Sequence, residues 1–218
     1  MRLILLGAPG AGKGTQAQLL KERLDIPHIS SGDLFRFHVE GRTELGLLAA
    51  KYMNQGVLVP DEVVIGIILD KVLELEREGG FILDGFPRTR EQAEALDQAL
   101  AEQSRGLDLA VLISVPEEEL VRRLGGRFVC RQCQAPHNLE AAQFAAPPPC
   151  GQCGGELFQR EDDRAEAVQV RIRVYQKQTE PVLDFYRKQG LLTEIPGVGA
   201  VAEISQQLLS ALQSGKGS

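Results

Sequence analysis

A lysine closing a run of small residues and four clustered cysteines are the side chains of this sequence whose types and spacing speak first of chemistry. Gly7-Ala-Pro-Gly-Ala-Gly12-Lys13-Gly14-Thr15 follows the form G-x-x-x-x-G-K with a hydroxyl close behind. The usual form has Ser or Thr directly after the lysine; here Gly14 intervenes and Thr15 follows. The chemistry is capture of a polyphosphate. Glycines let successive backbone N–H groups turn inward as an anion nest. A helix starting near Lys13 adds the positive end of its dipole. The lysine ammonium is a mobile point charge that can reach β- and γ-phosphate oxygens. A glycine-rich turn without a ligand is the alternative. The motif's place, directly after an apolar run and before an amphipathic helical pattern, favours the phosphate loop.

Cys130-x₂-Cys133 and Cys150-x₂-Cys153 are separated by 16 residues. Two such knuckles at this distance are a zinc signature. Four thiolates complete a tetrahedral Zn²⁺ shell and leave no open position, so the site is expected to be structural. Two disulfides or four reduced thiols are the competing readings. The absence of a secretory pattern argues against disulfides. Iron or cobalt could occupy the same sulfurs. His137 lies between the knuckles and reads as a polar residue of that insertion rather than a ligand.

These groups must be held by elements the sequence also suggests. Arg2 to Leu6 is an apolar run too short for a helix and reads as a buried strand. Phe81–Leu83, Leu109–Val115 and Leu191–Ile195 read the same way, with a weaker strand at Pro27–Ser30. Helical patterns cover 61–77, 89–104, 116–124, 164–189 and 199–213. This alternation predicts an α/β domain, a parallel sheet covered by helices on both faces. Residues 30–59 carry helical patterns and no strand signal, and read as a helical insertion. Residues 127–163 hold the cysteines and Pro147-Pro148-Pro149, are poor in apolar residues, and read as a second insertion in need of a staple. Ala141 to Pro149 reads as a solvent-facing loop, and the tail from Ser214 to Ser218 as frayed.

The chain has 218 residues, 43% hydrophobic and 25% charged, which suits one elaborated soluble domain. No apolar run approaches the length of a bilayer span, and the opening run leads straight into the glycine-rich motif. A cytoplasmic protein without membrane partners is therefore expected. The net charge of −6 opposes binding of bulk nucleic acid.

The motif Gly-Ala-Pro-Gly-Ala-Gly-Lys-Gly-Thr-Gln, together with Asp84-Gly-Phe-Pro-Arg88, resembles the adenylate kinase family. The likeness continues through Ser31-Gly-Asp-Leu-Phe-Arg36, Gly126-Arg127 and Arg160-Glu-Asp-Asp163, covering nearly the whole chain in the same order. The cysteine insertion resembles the zinc-bearing, long-lid bacterial members. The resemblance implies a P-loop NTPase-like five-stranded parallel sheet and a division into core (1–29, 60–126, 164–218), monophosphate-binding domain (30–59) and lid (127–163). It implies reversible Mg²⁺-dependent transfer of the terminal phosphoryl group of ATP to AMP, giving two ADP. The transfer would be direct, with no covalent enzyme intermediate, and would serve nucleotide and energy-charge homeostasis. It implies a monomer.

The site residues follow from the same resemblance. Gly10, Ala11, Gly12, Lys13, Gly14, Thr15, Arg123, Arg127 and the Gly197 backbone would hold ATP. Ser31, Arg36, Val57, Val59, Gly85, Arg88, Gln92, Arg160 and Arg171 would hold AMP, with Gln92 reading adenine through its amide. Lys13, Arg88, Arg123, Arg160 and Arg171 would be catalytic, since charge spreads over the equatorial oxygens of the transferring group. Asp84, and less directly Asp33, would hold Mg²⁺ through its waters. Asp33 could instead cap the helix after it. Asp162 and Asp163 would pair with arginines in a closed lid. Pro196-Gly197-Val198 departs from the Asp-Gly-Thr common in the family at that place. UMP or CMP kinases share the two leading motifs, GTP could serve as donor, and a zinc-ribbon binding module is a reading from another class.

Overall fold

The computed structural model describes residues 1–76, 79–139 and 146–214. Its centre is a five-stranded, all-parallel sheet. In chain order the strands are β1 (Arg2–Leu6), β2 (His28–Ser30), β3 (Phe81–Asp84), β4 (Leu109–Ser114) and, near the C-terminus, β8 (Leu192–Pro196). Their order across the sheet is β2-β3-β1-β4-β8. Leu3, Ile4, Ile82, Leu83, Ala110 and Val111 are fully buried. Burial on both faces is why β1, β3 and β4 read as continuous apolar runs instead of alternating ones; β2 and β8, at the edges of the sheet, are buried only at Ile29 and Ile195, so the last strand is not the fully buried one its sequence suggested.

Helices cover both faces. They are α1 (Lys13–Leu24), α4 (Asp61–Glu76), α5 (Arg90–Glu102), α6 (Glu117–Gly125), α7 (Ala165–Val174), α8 (Glu180–Lys188) and α9 (Val201–Ser214). One apolar cluster gathers Ile68 and Val72 of α4, Leu96 and Leu100 of α5 and Tyr186 of α8 against one face. Another gathers Ala17 and Leu20 of α1 with Ile204 and Leu208 of α9 against the other. The three- and four-residue spacings within each helix put these side chains on one stripe.

Strand β1 lies between β3 and β4, so the chain leaves it toward one edge and later crosses to the other. That reversal opens a crevice at the carboxyl ends of the strands. The phosphate-loop motif leaves β1 at this point, and Asp84 ends β3 beside it, paired in register with Leu5.

Residues 30–59 contain α2 (Ser31–Glu40) and α3 (Glu44–Met53). Ser30 and Thr43 cap them, accepting from Asp33 N and Gly46 N. Asp33 is thus the capped residue and not the cap. Residues 127–163 hold a small antiparallel sheet, β6-β5-β7, from β5 (Arg127–Cys130), β6 (Pro136–Asn138) and β7 (Leu157–Phe158). No strand was expected there. Strands of two to four residues carry too little apolar pattern to be read from sequence.

The pattern read as one helix over 164–189 is interrupted. Tyr175–Thr179 forms a π-turn between α7 and α8, and Pro181 follows at the start of α8. Proline supplies no N–H to the preceding turn, so the ladder loosens there and restarts. Residues 141–145 of the stretch read as a solvent-facing loop, and the tail 215–218, lie outside the described residues. No described helix is long and apolar enough to cross a membrane.

Candidate functional site

Gly12 begins the site. Its φ of 94° places it in the left-handed region, where a residue with a side chain would be strained. It starts α1 without any side-chain cap. The first amides of α1 therefore remain available to an anion. Lys13 bends back over the loop, its Nζ donating to Gly7 O at 2.8 Å and Ala8 O at 3.1 Å. Burial lowers its pKa to about 8; Asp84 opposes the shift, while Arg88, Arg171 and Arg127 add to it. An incoming polyphosphate would replace two neutral carbonyls with anionic oxygens and restore the ammonium's preference for its charge.

Further cations surround the same cleft, which measures about 1590 Å³. It is lined by the phosphate loop, Asp33, Arg36, Asp84, Arg88, Arg123, Arg127, Arg160 and Arg171. Arg88 donates from Nε to Gly85 O at 2.8 Å. Burial pushes its pKa down to about 10, with Arg171 contributing. Arg160 is likewise lowered to about 10, by burial first and then by Arg36 and Arg127. Its Nε is buried with no hydrogen-bond partner, a donor aimed at nothing in the protein. Neighbouring guanidiniums that depress one another describe a site short of negative charge.

Other members of the set have internal partners. Arg171 Nη1 reaches Asp163 Oδ1 at 2.8 Å and Asp162 Oδ2 at 3.0 Å. Arg127 pairs with Asp163 through both Nε and Nη2. Arg123 donates to Glu119 at 2.7 Å and to Gly197 O at 3.0 Å. Arg122 and Arg123 together hold the Glu119 carboxyl down to about 2. The Gly197 carbonyl, whose backbone was expected to hold ATP, here accepts from Arg123. Asp33 accepts from Arg36 at 2.5 Å, and Arg36 leads the effects holding its pKa below the usual range against burial. Asp84 carries its carboxylate beside Gly14, where an added Cβ would come 3.4 Å from Oδ2. Thr15 is exposed and lines the same cleft, as do Gly10, Ala11, Gly12 and Gly14.

A second pocket adjoins the cleft. Ser31, Arg36, Val57, Val59, Gly85, Arg88, Gln92 and Arg171 line it. Ser31 donates to Gly85 O at 2.7 Å. Gly85 has φ 78°, and an added Cβ would sit 2.6 Å from Ser31 Oγ and 3.0 Å from Arg88 Nη2. Only glycine lets both side chains close on this turn. Gln92 is 2% exposed, and its amide already engages Arg88 N and Asp61. Sequence reasoning missed Asp61, Thr89 and Glu119. Thr89-x-x-Gln92 did carry a helix-start signature.

The four cysteines converge. Their sulfurs all lie within 4.8 Å of one another. Cys130 and Cys153 are 3.4 Å apart, and Cys133 and Cys150 are 3.7 Å apart, far beyond an S–S bond. Tetrahedral Zn–S bonds of about 2.3 Å imply S···S edges of about 3.8 Å, so the cage fits a zinc-sized ion. The knuckle turns are formed, with Gln134 N donating to Cys130 O and Gly154 N to Cys150 O. Gln134 takes φ 57°, matching Gly154 at 74°, although it is not glycine. His137, read as a polar residue of the insertion, places Nε2 3.2 Å from Cys150 Sγ. The core here is small, with Phe128, Cys130, Cys150 and Leu157 buried together. A structural zinc contributes on the order of 10 kcal/mol to folding of such a unit. Verified metal removal is expected to lower the melting temperature and expose 127–163 to protease first. An unchanged unfolding profile would remove the structural role.

A parallel sheet with a phosphate loop at its switch point, opening on a cleft ringed by arginines, defines a nucleotide-binding phosphotransferase of the kinase type. The family model for adenylate kinase matches residues 5–191. The chain is 48% identical over 212 residues to an adenylate kinase of Caldicellulosiruptor bescii, covering 97% of this chain and 99% of that one. It is 49% identical over 216 residues to one from Streptomyces coelicolor (98% and 99% covered) and 48% identical over 215 residues to one from Desulfitobacterium hafniense (99% of both). The chain belongs to the adenylate kinase family.

Proposed function

We propose that this enzyme transfers the terminal phosphoryl group of ATP to AMP, reversibly, giving two ADP. The observation that carries the reading is the convergence of Lys13 with Arg36, Arg88, Arg123, Arg127, Arg160 and Arg171 on one cleft beside a second pocket. One polyphosphate on the loop and one monophosphate in the pocket would use all of them. Transfer is direct and in line. The acceptor's phosphate oxygen attacks the γ-phosphorus, the bond to the β-bridging oxygen breaks, and that oxygen leaves with ADP. No enzyme nucleophile takes part.

Lys13 and the α1 amides hold the donor phosphates. Arg123, Arg160 and Arg171 stabilise the charge spread over the transferring oxygens. Arg36 and Arg88 clamp the acceptor phosphate, since a guanidinium fork matches it. Asp84, with Asp33 as the lesser candidate, would hold a Mg²⁺ ion, which when bound would neutralise phosphate charge. Residues 30–59 act as the monophosphate domain and 127–163 as a zinc-stapled lid on the core of 1–29, 60–126 and 164–218. Their closure excludes water that would otherwise take the phosphoryl group. The protein works as a cytoplasmic monomer on ATP, AMP and ADP, without nucleic acid or membrane, in nucleotide and energy-charge homeostasis.

The deciding test is phosphoryl transfer from Mg·ATP across AMP, GMP, CMP, UMP and no acceptor, with all nucleotides resolved. Fast turnover of AMP alone supports the reading. Preference for another monophosphate overturns the acceptor, and equal ADP formation without acceptor makes the chain an NTPase.

A pH dependence follows from Lys13. Its pKa in the empty protein is about 8, below the ordinary 10.5, because burial disfavours the charged form. The charged state is complete well below pH 8 and is lost as pH rises through 8. In the free enzyme, kcat/KM for ATP should therefore fall above about pH 8. Bound triphosphate favours the cation, so kcat should hold to higher pH. For stability the sign is opposite: the empty fold carries the cost of a buried ammonium below pH 8, and that cost fades between 8 and 10.5. A profile of kcat/KM flat to pH 9.5 would refute this.

A further inference from the structure

We propose that Asp61 fixes the orientation of the Gln92 amide and so decides which purine edge the acceptor pocket takes, an inference that rests on AMP being the acceptor. Asp61 opens α4 and lies far in sequence from the residues it meets. Its Oδ1 accepts from Gln92 Nε2 at 2.6 Å, and its Oδ2 accepts from Thr89 Oγ1 at 2.7 Å. Thr89 Oγ1 in turn accepts from Gln92 N at 3.2 Å. Gln92 Oε1 accepts from Arg88 N at 2.8 Å.

The direction of every bond in this circuit is determined. Arg88 N and Gln92 N are backbone donors and cannot accept. The Arg88 N–H therefore requires the oxygen of the Gln92 amide, which leaves the NH₂ group facing Asp61. The Gln92 N–H occupies a Thr89 lone pair, and the hydroxyl's single proton goes to Asp61. Reversing the amide would set two donors against each other at Arg88 and two acceptors against each other at Asp61. Arg88 N alone opposes the flip from one end; Asp61 opposes it from the other.

Gln92 is also a wall of the pocket that holds Ser31, Val59 and Arg88. After its internal bonds, Oε1 keeps one lone pair and Nε2 keeps one hydrogen. An acceptor beside a donor complements an amino group beside a bare ring nitrogen, which is adenine's edge. A 6-oxo purine presents the reverse, an oxygen toward Oε1 and an N–H toward Nε2. A freely flipping amide would serve both. Asp61 touches no substrate in this arrangement and acts as a positioning residue. Discrimination by buried polar groups that would be left unpaired is strong, so weakening the lock should show as lost selectivity.

The test compares kcat/KM for AMP and for IMP, which differ only at this edge, in wild type, Asp61→Ala and Asp61→Asn, with KM for ATP measured alongside. Asp61→Ala is expected to narrow the AMP:IMP ratio by roughly tenfold or more, mainly through KM for the monophosphates, with KM for ATP unchanged. Asp61→Asn, which can still offer one oxygen to Gln92, should fall between. An unchanged ratio in folded Asp61→Ala, or AMP and ATP weakening together, overturns the proposal. If wild type itself prefers another monophosphate, the AMP reading fails instead, and the two failures are separable. Nuclear magnetic resonance of the wild-type Gln92 side-chain amide needs no variant. Two inequivalent protons protected from exchange are expected, and protons exchanging as freely as in solvent-exposed glutamine would overturn the lock.

Discussion

Lys13→Ala is expected to lose turnover by roughly 10²- to 10³-fold, the scale of removing one preorganised charge contact from a transition state. The ammonium stands at the uncapped start of α1, and its bonds in the empty protein go only to the Gly7 and Ala8 carbonyls. Those carbonyls can be hydrated when the side chain is gone, so the fold is expected to survive. Removing a buried cation relieves the cost that lowers its pKa to about 8. The melting temperature of the empty variant should accordingly equal or exceed that of wild type. Its gain in melting temperature on adding ATP should shrink, because ligand stabilisation follows affinity. Steady-state kinetics and thermal shift with and without ATP read both halves. Turnover within a few-fold of wild type would remove Lys13 from the catalytic set.

Arg88→Ala is expected to cost roughly 10²-fold or more in kcat/KM for AMP, as befits a bidentate charge contact to phosphate, while leaving ATP affinity within a few-fold. The asymmetry comes from position. Arg88 is held at the second pocket by its Nε bond to Gly85 O and by the hold of Gln92 on its backbone N–H. It shares the second pocket with Ser31 and Gln92, and Lys13 does not line that pocket. Arg88→Lys should recover only part of the loss, since an ammonium supplies charge without the planar fork. Titration of each nucleotide by calorimetry separates the two sides. Equal weakening of ATP and AMP would mean that Arg88 serves the donor phosphates instead.

The readable parts of this protein were those built from contiguous chain. The phosphate loop works through its own backbone, so its glycines and lysine must be adjacent in sequence, and they are. The cysteine knuckles need two cysteines three apart, because one tight turn must present both sulfurs. The buried parallel strands show as apolar runs because both their faces are covered. The strands of 127–163 were not readable, since Pro136–Asn138 and Leu157–Phe158 carry almost no apolar pattern and form only as partners of β5. The break at Tyr175–Thr179 was hidden for a related reason. The helical period runs on through it, and the π-turn is a local adjustment of backbone bonding.

The arginines mark the boundary between the two kinds of information. Composition cannot separate Arg160, whose Nε is buried without a partner, from Arg164, which pairs with Glu161 on the surface. Motif likeness singled out particular arginines, and only the fold says what each guanidinium meets. Arg127 finds Asp163 across 36 residues, and Gln92 finds Asp61 across 31. The sequence by itself determined the fold class, the phosphate loop and the four-sulfur cage. The tertiary structure decided which charges converge, which are neutralised internally and which way the Gln92 amide points. Those outcomes depend on Coulomb and hydrogen-bond contacts that act over a few ångströms, between residues that only chain packing brings so close.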